Sequence, residues 1–319
     1  MKLIDFYKTA IQAGLDNDPR TREEIESYLN KYRAKFESLG EQEKDFFDRL
    51  LLEHPYADSR ILLGEGESEI ASLMAGIDIS SAEVLLADRL REKGKKIDGI
   101  LSHHPSARAW AQFYEVMDMQ ADIISHMGAN PVVAEKLISK RYGEVKRKVM
   151  PANHYQALDA AKLLGLPWIC IHTPADNCVV RFLTNTFNKE NPEKLKDVIE
   201  ILYNIEEYKE GARRGCGPII LLGNKYSRVG KVSVDMTGGT EGPVEYFELV
   251  SRENIGTIVG MHFSESHYKK AKELGINLVI AGHIPSDTLG MNLMLDYVEF
   301  KLDEIEIIEC SGFFRIRHN

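Results

Sequence analysis

The chain has 319 residues, a formal net charge of -9 and 44% hydrophobic residues, enough to fill one large core or two ordinary ones. Acidic residues outnumber basic ones and no basic block appears, so direct nucleic-acid binding is not expected. No apolar run approaches the roughly 18 residues of a membrane span. The opening MKLIDFYKTAIQAGLDNDPR lacks the pattern of a secretion signal, and the four scattered cysteines form no CxxC pair, so a cytoplasmic protein without membrane contact is expected.

The first 55 or so residues read as helices. Ile25, Leu29, Tyr32, Phe36 and Leu39 recur at helical spacing, Thr21 with Glu24 makes a capping box, and Gly40 supplies a stop. This region reads as scaffold, with His54 a loop residue before Pro55. From Arg60 short apolar runs alternate with amphipathic helices, the rhythm of a largely parallel or mixed sheet covered by helices. Candidate strands are 61–64, 73–79 and 97–101. Ser80 with Glu83 opens a helix carrying Val84, Leu85, Ala87 and Leu90 and ending near Gly94.

A less regular stretch from Asn185 to about Gly230 contains a helix up to Tyr208 and the loop-like GARRGCG. It divides the chain into 1–185, N-terminal helices plus a first α/β lobe, and 186–319, a second α/β lobe whose C-terminal segment is free to return to the first. Lys231 to Met236 then reads as a strand. TGGTEGP leads from it into a helix beginning near Val244, either as a tight turn in which Gly238 and Gly239 supply permissive backbone angles or as a cradle for an anion. Glu241 there complements the helix dipole.

An internal echo carries the chemistry. AKLLGLPWICIHTPAD (161–176) and AKELGINLVIAGHIPSD (271–287) share one plan: helix end, Gly, apolar strand, His, three residues, Asp. REKGKKIDGILSHHP repeats it with the pair His103 and His104 where the strand runs out. In open α/β sheets the carboxyl ends of strands face the binding crevice, so residues placed there are aimed at a site without disturbing the core. His172 to Asp176 and His283 to Asp287 are H-x3-D pairs. Pro174 and Pro285 inside them discourage a continuing helix, which puts the pairs on turns at a cleft. Imidazole and carboxylate ligands suit zinc, manganese, iron or nickel. Adjacent histidines at a strand end point to different sides, one for each of two divalent ions, and Asp176 and Asp287 are the candidates for a bridging position.

At these residues the sequence resembles the Nif-three-like family, the type 2 homologues of GTP cyclohydrolase I. DGILSHHP (98–105), IHTPAD (171–176) and GMHFSESHYKKAKELGINLVIAGHIPSD (260–287) carry the resemblance, which extends over most of the chain from about residue 60. It implies two related lobes with mixed sheets flanked by helices, a dinuclear metal site in the cleft between them, and a ring-shaped homo-oligomer, commonly a hexamer. Carried over, it makes His103, His104, Asp176 and His283 metal ligands, with Asp287 where the family usually has glutamate. His172 matches a neighbour that orients water or a ligand rather than a direct ligand.

The expected function is therefore a dinuclear metal-dependent hydrolase acting on a small molecule, with His172 or His267 moving protons. A purine nucleotide is the substrate that the resemblance implies. The competing class is a non-catalytic metal carrier, sensor or interaction protein, which needs the same ligands. His262, Glu265 and His267 form a further polar cluster with Ser264 as a helix cap. Arg213 and Arg214 are read as a solvated loop pair, with phosphate recognition as the alternative, and His126, His154 and His318 are assigned no role.

Overall fold

The computed structural model describes residues 1–318. The chain opens with α1 (Leu3–Asp16), α2 (Arg22–Ser38) and the single turn α3 (Glu41–Lys44). β1 (Arg60–Leu63), β2 (Ser72–Gly76), α4 (Ser81–Glu92) and β3 (Gly99–Ser102) begin the first lobe. A helical excursion follows as α5 (Ala107–Ala111), α6 (Asp118–His126), α7 (Pro131–Val149) and α8 (Gln156–Leu163), before β4 (Trp168–Cys170) and α9 (Thr173–Glu190). α10 (Leu195–Tyr203), α11 (Glu206–Arg213), β5 (Ile219–Leu222), β6 (Lys231–Asp235), α12 (Tyr246–Ser251), β7 (Ile255–Gly260), α13 (Glu265–Leu274) and β8 (Asn277–Ile280) build the second lobe. The long α14 (His283–Lys301) and β9 (Glu306–Cys310) complete the chain.

The two sheets share a plan. The first has the order β1-β4-β3-β2-β9 and the second β5-β8-β7-β6. β1 runs antiparallel to β4, and β5 antiparallel to β8, while every other pairing is parallel. The internal echo of the sequence thus corresponds to equivalent strands, β4 and β8, each followed by a long helix. β9 adds itself to β2, so the end of the chain returns to the first sheet.

Both expected capping boxes form: Thr21 and Glu24 close the start of α2, Ser80 and Glu83 that of α4. The stretch from Asn185 is more regular than its sequence suggests. α9 runs through it to Glu190, two helices follow, and an edge strand, β5, lies just after GARRGCG, whose first residues are still helical. Every residue from Thr173 to Val180 and from Pro285 to Asn292 is buried, and α14, buried on all sides at its start, carries no amphipathic period to be read.

Those two helices pack against each other at the centre. One side of α9, with Ala175 and Cys178, joins Leu73, Leu101 and Ile169 of the first sheet, α1, and Met291 and Leu295 of α14 in one core. The other side, with Val179 and Leu183, packs with Val234, Val259 and Val279 of the second sheet and Leu289 of α14. α4 and α8 cover the outer face of the first sheet, while α6, α7, α12 and α13 cover that of the second. Gly290 lets the central helices touch: a Cβ there would meet the carbonyl oxygen of Ala175 at 2.5 Å. No helix among the described residues is long and apolar enough to cross a membrane.

Candidate metal centre

His103 and His104 follow the last residue of β3, and their backbone N–H groups donate to Gly76 and Ile77 beside it, so both side chains leave a fixed strand end. His172 and Asp176 stand at the start of α9, His283 and Asp287 at the start of α14. This corrects the turn expected from the prolines. Pro174 and Pro285 fall in the first helical turn, where a missing N–H costs nothing because those donors have no partner within the helix anyway. The H-x3-D spacing is therefore one helical turn, which puts His and Asp on the same face.

The side chains converge. His103 Nε2 lies 3.4 Å from Asp176 Oδ1 and 3.5 Å from Asp287 Oδ1. Asp287 Oδ2 lies 3.3 Å from His104 Nε2 and 3.4 Å from His283 Nε2. His172 Nε2 is 3.8 Å from Asp176 Oδ2. Three overlapping groups could each hold an ion: His103 with His104 and His172, His104 with His283 and Asp287, and His103 with Asp176 and Asp287. Two donors each about 2.1 Å from a tetrahedral ion stand about 3.4 Å from one another, the separation seen here.

Three rings are held from behind. Nδ1 of His103 faces the carbonyl of Ile171 at 3.2 Å, Nδ1 of His104 faces Asp78 at 2.7 Å, and Nδ1 of His172 faces Asp58 at 2.7 Å. Each contact occupies Nδ1 and leaves Nε2 turned to the shared centre, the arrangement that orients metal-binding imidazoles. Asp58 is fully buried and also accepts from the hydroxyls of Thr173 and Ser59. Burial alone would raise its pKa, but the His172 contact and those hydroxyls outweigh it and hold the carboxyl below its ordinary range.

Whether this donor set fits divalent ions is decided by the atoms left over. His103 Nε2 and both oxygens of Asp287 are buried with no hydrogen-bond partner among the described residues. Such atoms cost about 1–3 kcal/mol each when left unsatisfied, more when charged, so a cation among them removes a penalty. Burial opposes a charge on His103, yet the Asp287 charge and contacts with Asp176 and Asp287 push its pKa up to about 10. His104 is likewise opposed by burial and pushed up by Asp287 and Asp78 to about 9. Asp287, despite burial, is held far below the carboxylate range by His103 and His104. The centre is built to contain positive charge, and the residues fit the metal.

The second lobe contributes a matching strand end. His262 follows β7 as His104 follows β3, and its Nδ1 lies 3.2 Å from Glu241 as that of His104 lies by Asp78. Its ring stands 5.0 Å from that of His283. Glu241 is not at a helix start as its sequence context implied: it accepts from the backbone N–H of Ser264 at 2.7 Å and from His262, and α12 begins only at Tyr246. His267 is buried nearby. Its Nδ1 faces the Ser264 hydroxyl and its Nε2 the Gly242 carbonyl, so the structure does not bring it into the donor cluster. Glu265 is exposed at the start of α13, with Ser264 as that helix's cap.

Asp58, Asp78 and Asp235 are site residues that sequence reasoning missed. Asp78 and Asp235 sit at or just past the ends of β2 and β6, a placement that the strand-end rule could have found. Asp58 lies in a loop and left no signal. Of the histidines without an assigned role, His126 pairs with Glu24, His318 with Glu207, and His154 lines the cleft. Arg213 and Arg214 both pair with Glu210, away from it.

No protein-family model and no curated protein matches the chain. Solved structures do. A NIF3 superfamily protein from Sphaerobacter thermophilus shares 26% identity over 80% of this chain and 91% of its own length, with a TM-score of 0.70. Lesser likenesses are to HcgD from Methanocaldococcus jannaschii, at 18% identity over 78% of this chain and 87% of its own with a TM-score of 0.46, and to TTHA1606 from Thermus thermophilus, at 15% over 89% and 97% with 0.47. The paired mixed sheets and the Sphaerobacter likeness agree with the strand-end motifs and together support a Nif3-like family assignment.

Proposed function

We propose that the chain is a dinuclear metal-dependent hydrolase of a small molecule. The observation that carries this reading is the set of orphaned atoms, His103 Nε2 and both oxygens of Asp287, buried at the centre of three overlapping His/Asp groups. His103, His104, Asp176, His283 and Asp287 would hold the ions, and Asp287, whose two oxygens face different histidines, has the bridging place. Bound divalent ions supply a water acidic enough to ionise near neutrality and polarise a carbonyl or phosphoryl oxygen.

The chain's own residues supply the rest. His172 lines the cleft with Nδ1 fixed by Asp58, so Nε2 is the atom that takes and returns a proton at the reacting centre. Asp78 and the Ile171 carbonyl keep the His104 and His103 rings in one orientation. His267, with both nitrogens engaged, holds the Ser264 turn and leaves proton transfer to His172. A cavity of about 640 Å³ opens beside these residues, which favours catalysis over a carrier or sensor that would need no room for a substrate.

Protein purified without chelators should carry close to two ions per chain by elemental analysis, and His103→Ala should lower this sharply with the fold intact. One ion per chain would count against the dinuclear reading. Metal-dependent turnover of esters, cyclic amides or phosphoesters, abolished by Asp176→Ala, supports the hydrolase. Two bound ions without turnover favours the carrier.

A further inference from the structure

The cavity beside the metal donors has a far wall that metal chemistry does not use. Trp110, Phe113 and Phe263 contribute aromatic surface to it, and Asp235 and Glu241 contribute carboxylates. Trp110 is braced edge-on by His154, with ring centroids 4.9 Å apart. Asp235 takes the Tyr246 hydroxyl on Oδ2, while its Oδ1 accepts no hydrogen bond among the described residues. Glu241 is fixed by Ser264 and His262, and a carboxylate has room for further donors.

What the wall lacks is equally specific. No lysine or arginine lines this cavity among the described residues. In the glycine loop that the sequence offered as an anion cradle, the carbonyls of Gly238 and Thr240 accept from Gln120 Nε2, and the carboxylate of Glu241 follows directly, an acid where an anion would have to approach. A phosphate chain placed against this wall would meet two carboxylates and no lysine or arginine, whereas a ring with N–H groups would find carboxylate acceptors.

We propose that this wall recognises a planar nitrogen ring bearing N–H donors and no phosphate, the ring lying against the aromatic side chains, its N–H groups given to Asp235 and Glu241, and its remainder turned toward Asp176 and Asp287. The proposal rests on the cleft being the substrate site of the hydrolase, and it narrows the nucleotide implied by the resemblance to a nucleoside or free base. Recognition by this wall does not depend on bound ions, so it is tested apart from them.

Full-length protein treated with chelator is titrated with guanosine, GMP and GTP by calorimetry, with tryptophan fluorescence as a second readout. Trp168 is buried in the core, so a ligand-dependent change reports Trp110. Guanosine should bind, and GTP should bind at least about tenfold more weakly. Asp235→Asn and Glu241→Gln should each weaken guanosine about tenfold, the size of one hydrogen bond to a charged group, with unchanged circular dichroism. Trp110→Phe should remove the fluorescence change. GTP binding as tightly as guanosine, guanosine binding indifferent to both carboxylate variants, or no guanosine binding would each overturn the proposal. Guanosine recognition without metal-dependent turnover would sink the hydrolase and leave ring recognition standing; turnover without it would do the reverse.

Discussion

Asp287 Oδ1 faces His103 Nε2 at 3.5 Å although one side chain rises from the helix after the second sheet and the other from a strand end of the first. Neither atom has a hydrogen-bond partner among the described residues. The contact is close enough for charge and too long for a good hydrogen bond, the signature of donors spaced for an ion between them.

Asp287→Ala should therefore cost the chain at least one bound ion, measured by elemental analysis after gel filtration. Asp287→Glu should keep more of the metal than Asp287→Ala, because it preserves both carboxylate oxygens. Equal metal loss in both variants would remove Asp287 from the bridging place.

Asp58 and Asp78 never reach the centre, yet each holds an imidazole that does. Asp78→Asn should lower metal affinity about 10–100-fold in a chelator-competition titration, whereas Asp58→Asn, whose partner His172 moves protons and holds no ion, should lower turnover and leave affinity nearly unchanged. Asp58→Asn should also lower the melting temperature, since that side chain is wholly buried among His172, Thr173 and Ser59, while Asp78, largely exposed, should leave it nearly unchanged. Affinity unmoved by Asp78→Asn, or turnover unmoved by Asp58→Asn, would mean the rings are oriented by packing alone.

The raised imidazole pKa values set a window for stability without metal. Folding lifts His103 to about 10 and His104 to about 9 from an ordinary 6.5, so the folded chain holds protons that the unfolded chain releases. That stabilisation is complete below about pH 6.5 and is lost as pH rises through 9 and 10. Chelated protein should melt progressively lower from pH 7 to 10. Metal-loaded protein should resist this, because ions compete with protons for the same nitrogens and bind better as pH rises. A flat profile for chelated protein, or one unchanged by His103→Ala, would contradict the assignment.

His54 acts on the acid side. Read from sequence as a loop residue, it is buried, its Nδ1 accepting from the Tyr56 N–H and its Nε2 meeting the Tyr7 hydroxyl. Burial and the charge of Arg60 push its pKa down to about 4. Its neutral form thus contributes stability above about pH 6.5 that is lost as pH falls toward 4, on the order of 3 kcal/mol. His54→Gln should flatten the loss of stability between pH 6.5 and 4 in denaturant titrations. An unaltered slope would assign acid unfolding to other groups.

The metal donors were legible because they stand at strand ends in repeated sequence, where local order and function coincide. That rule brought out His103, His104, Asp176, His283 and Asp287 together with His172, and the family resemblance set His172 apart from the candidate ligands. What it could not show was their support. Asp58 meets His172 across more than a hundred residues of chain, and nothing local marks it. The helices carrying Asp176 and Asp287 were misread as turns because proline was weighed as a breaker without asking which turn it occupied. Burial on all sides erased the amphipathic period of α14, so one of the two central helices gave the faintest pattern.

Their contact at Gly290 has a consequence for motion. Asp176 and Asp287 sit at the starts of two packed helices that at Gly290 meet backbone to backbone. Any hinge opening of the sheets must pry that contact apart and so pull Asp176 from Asp287. Ions bound at this centre would then act as a latch, leaving the open side of the cleft as the way in for a small molecule.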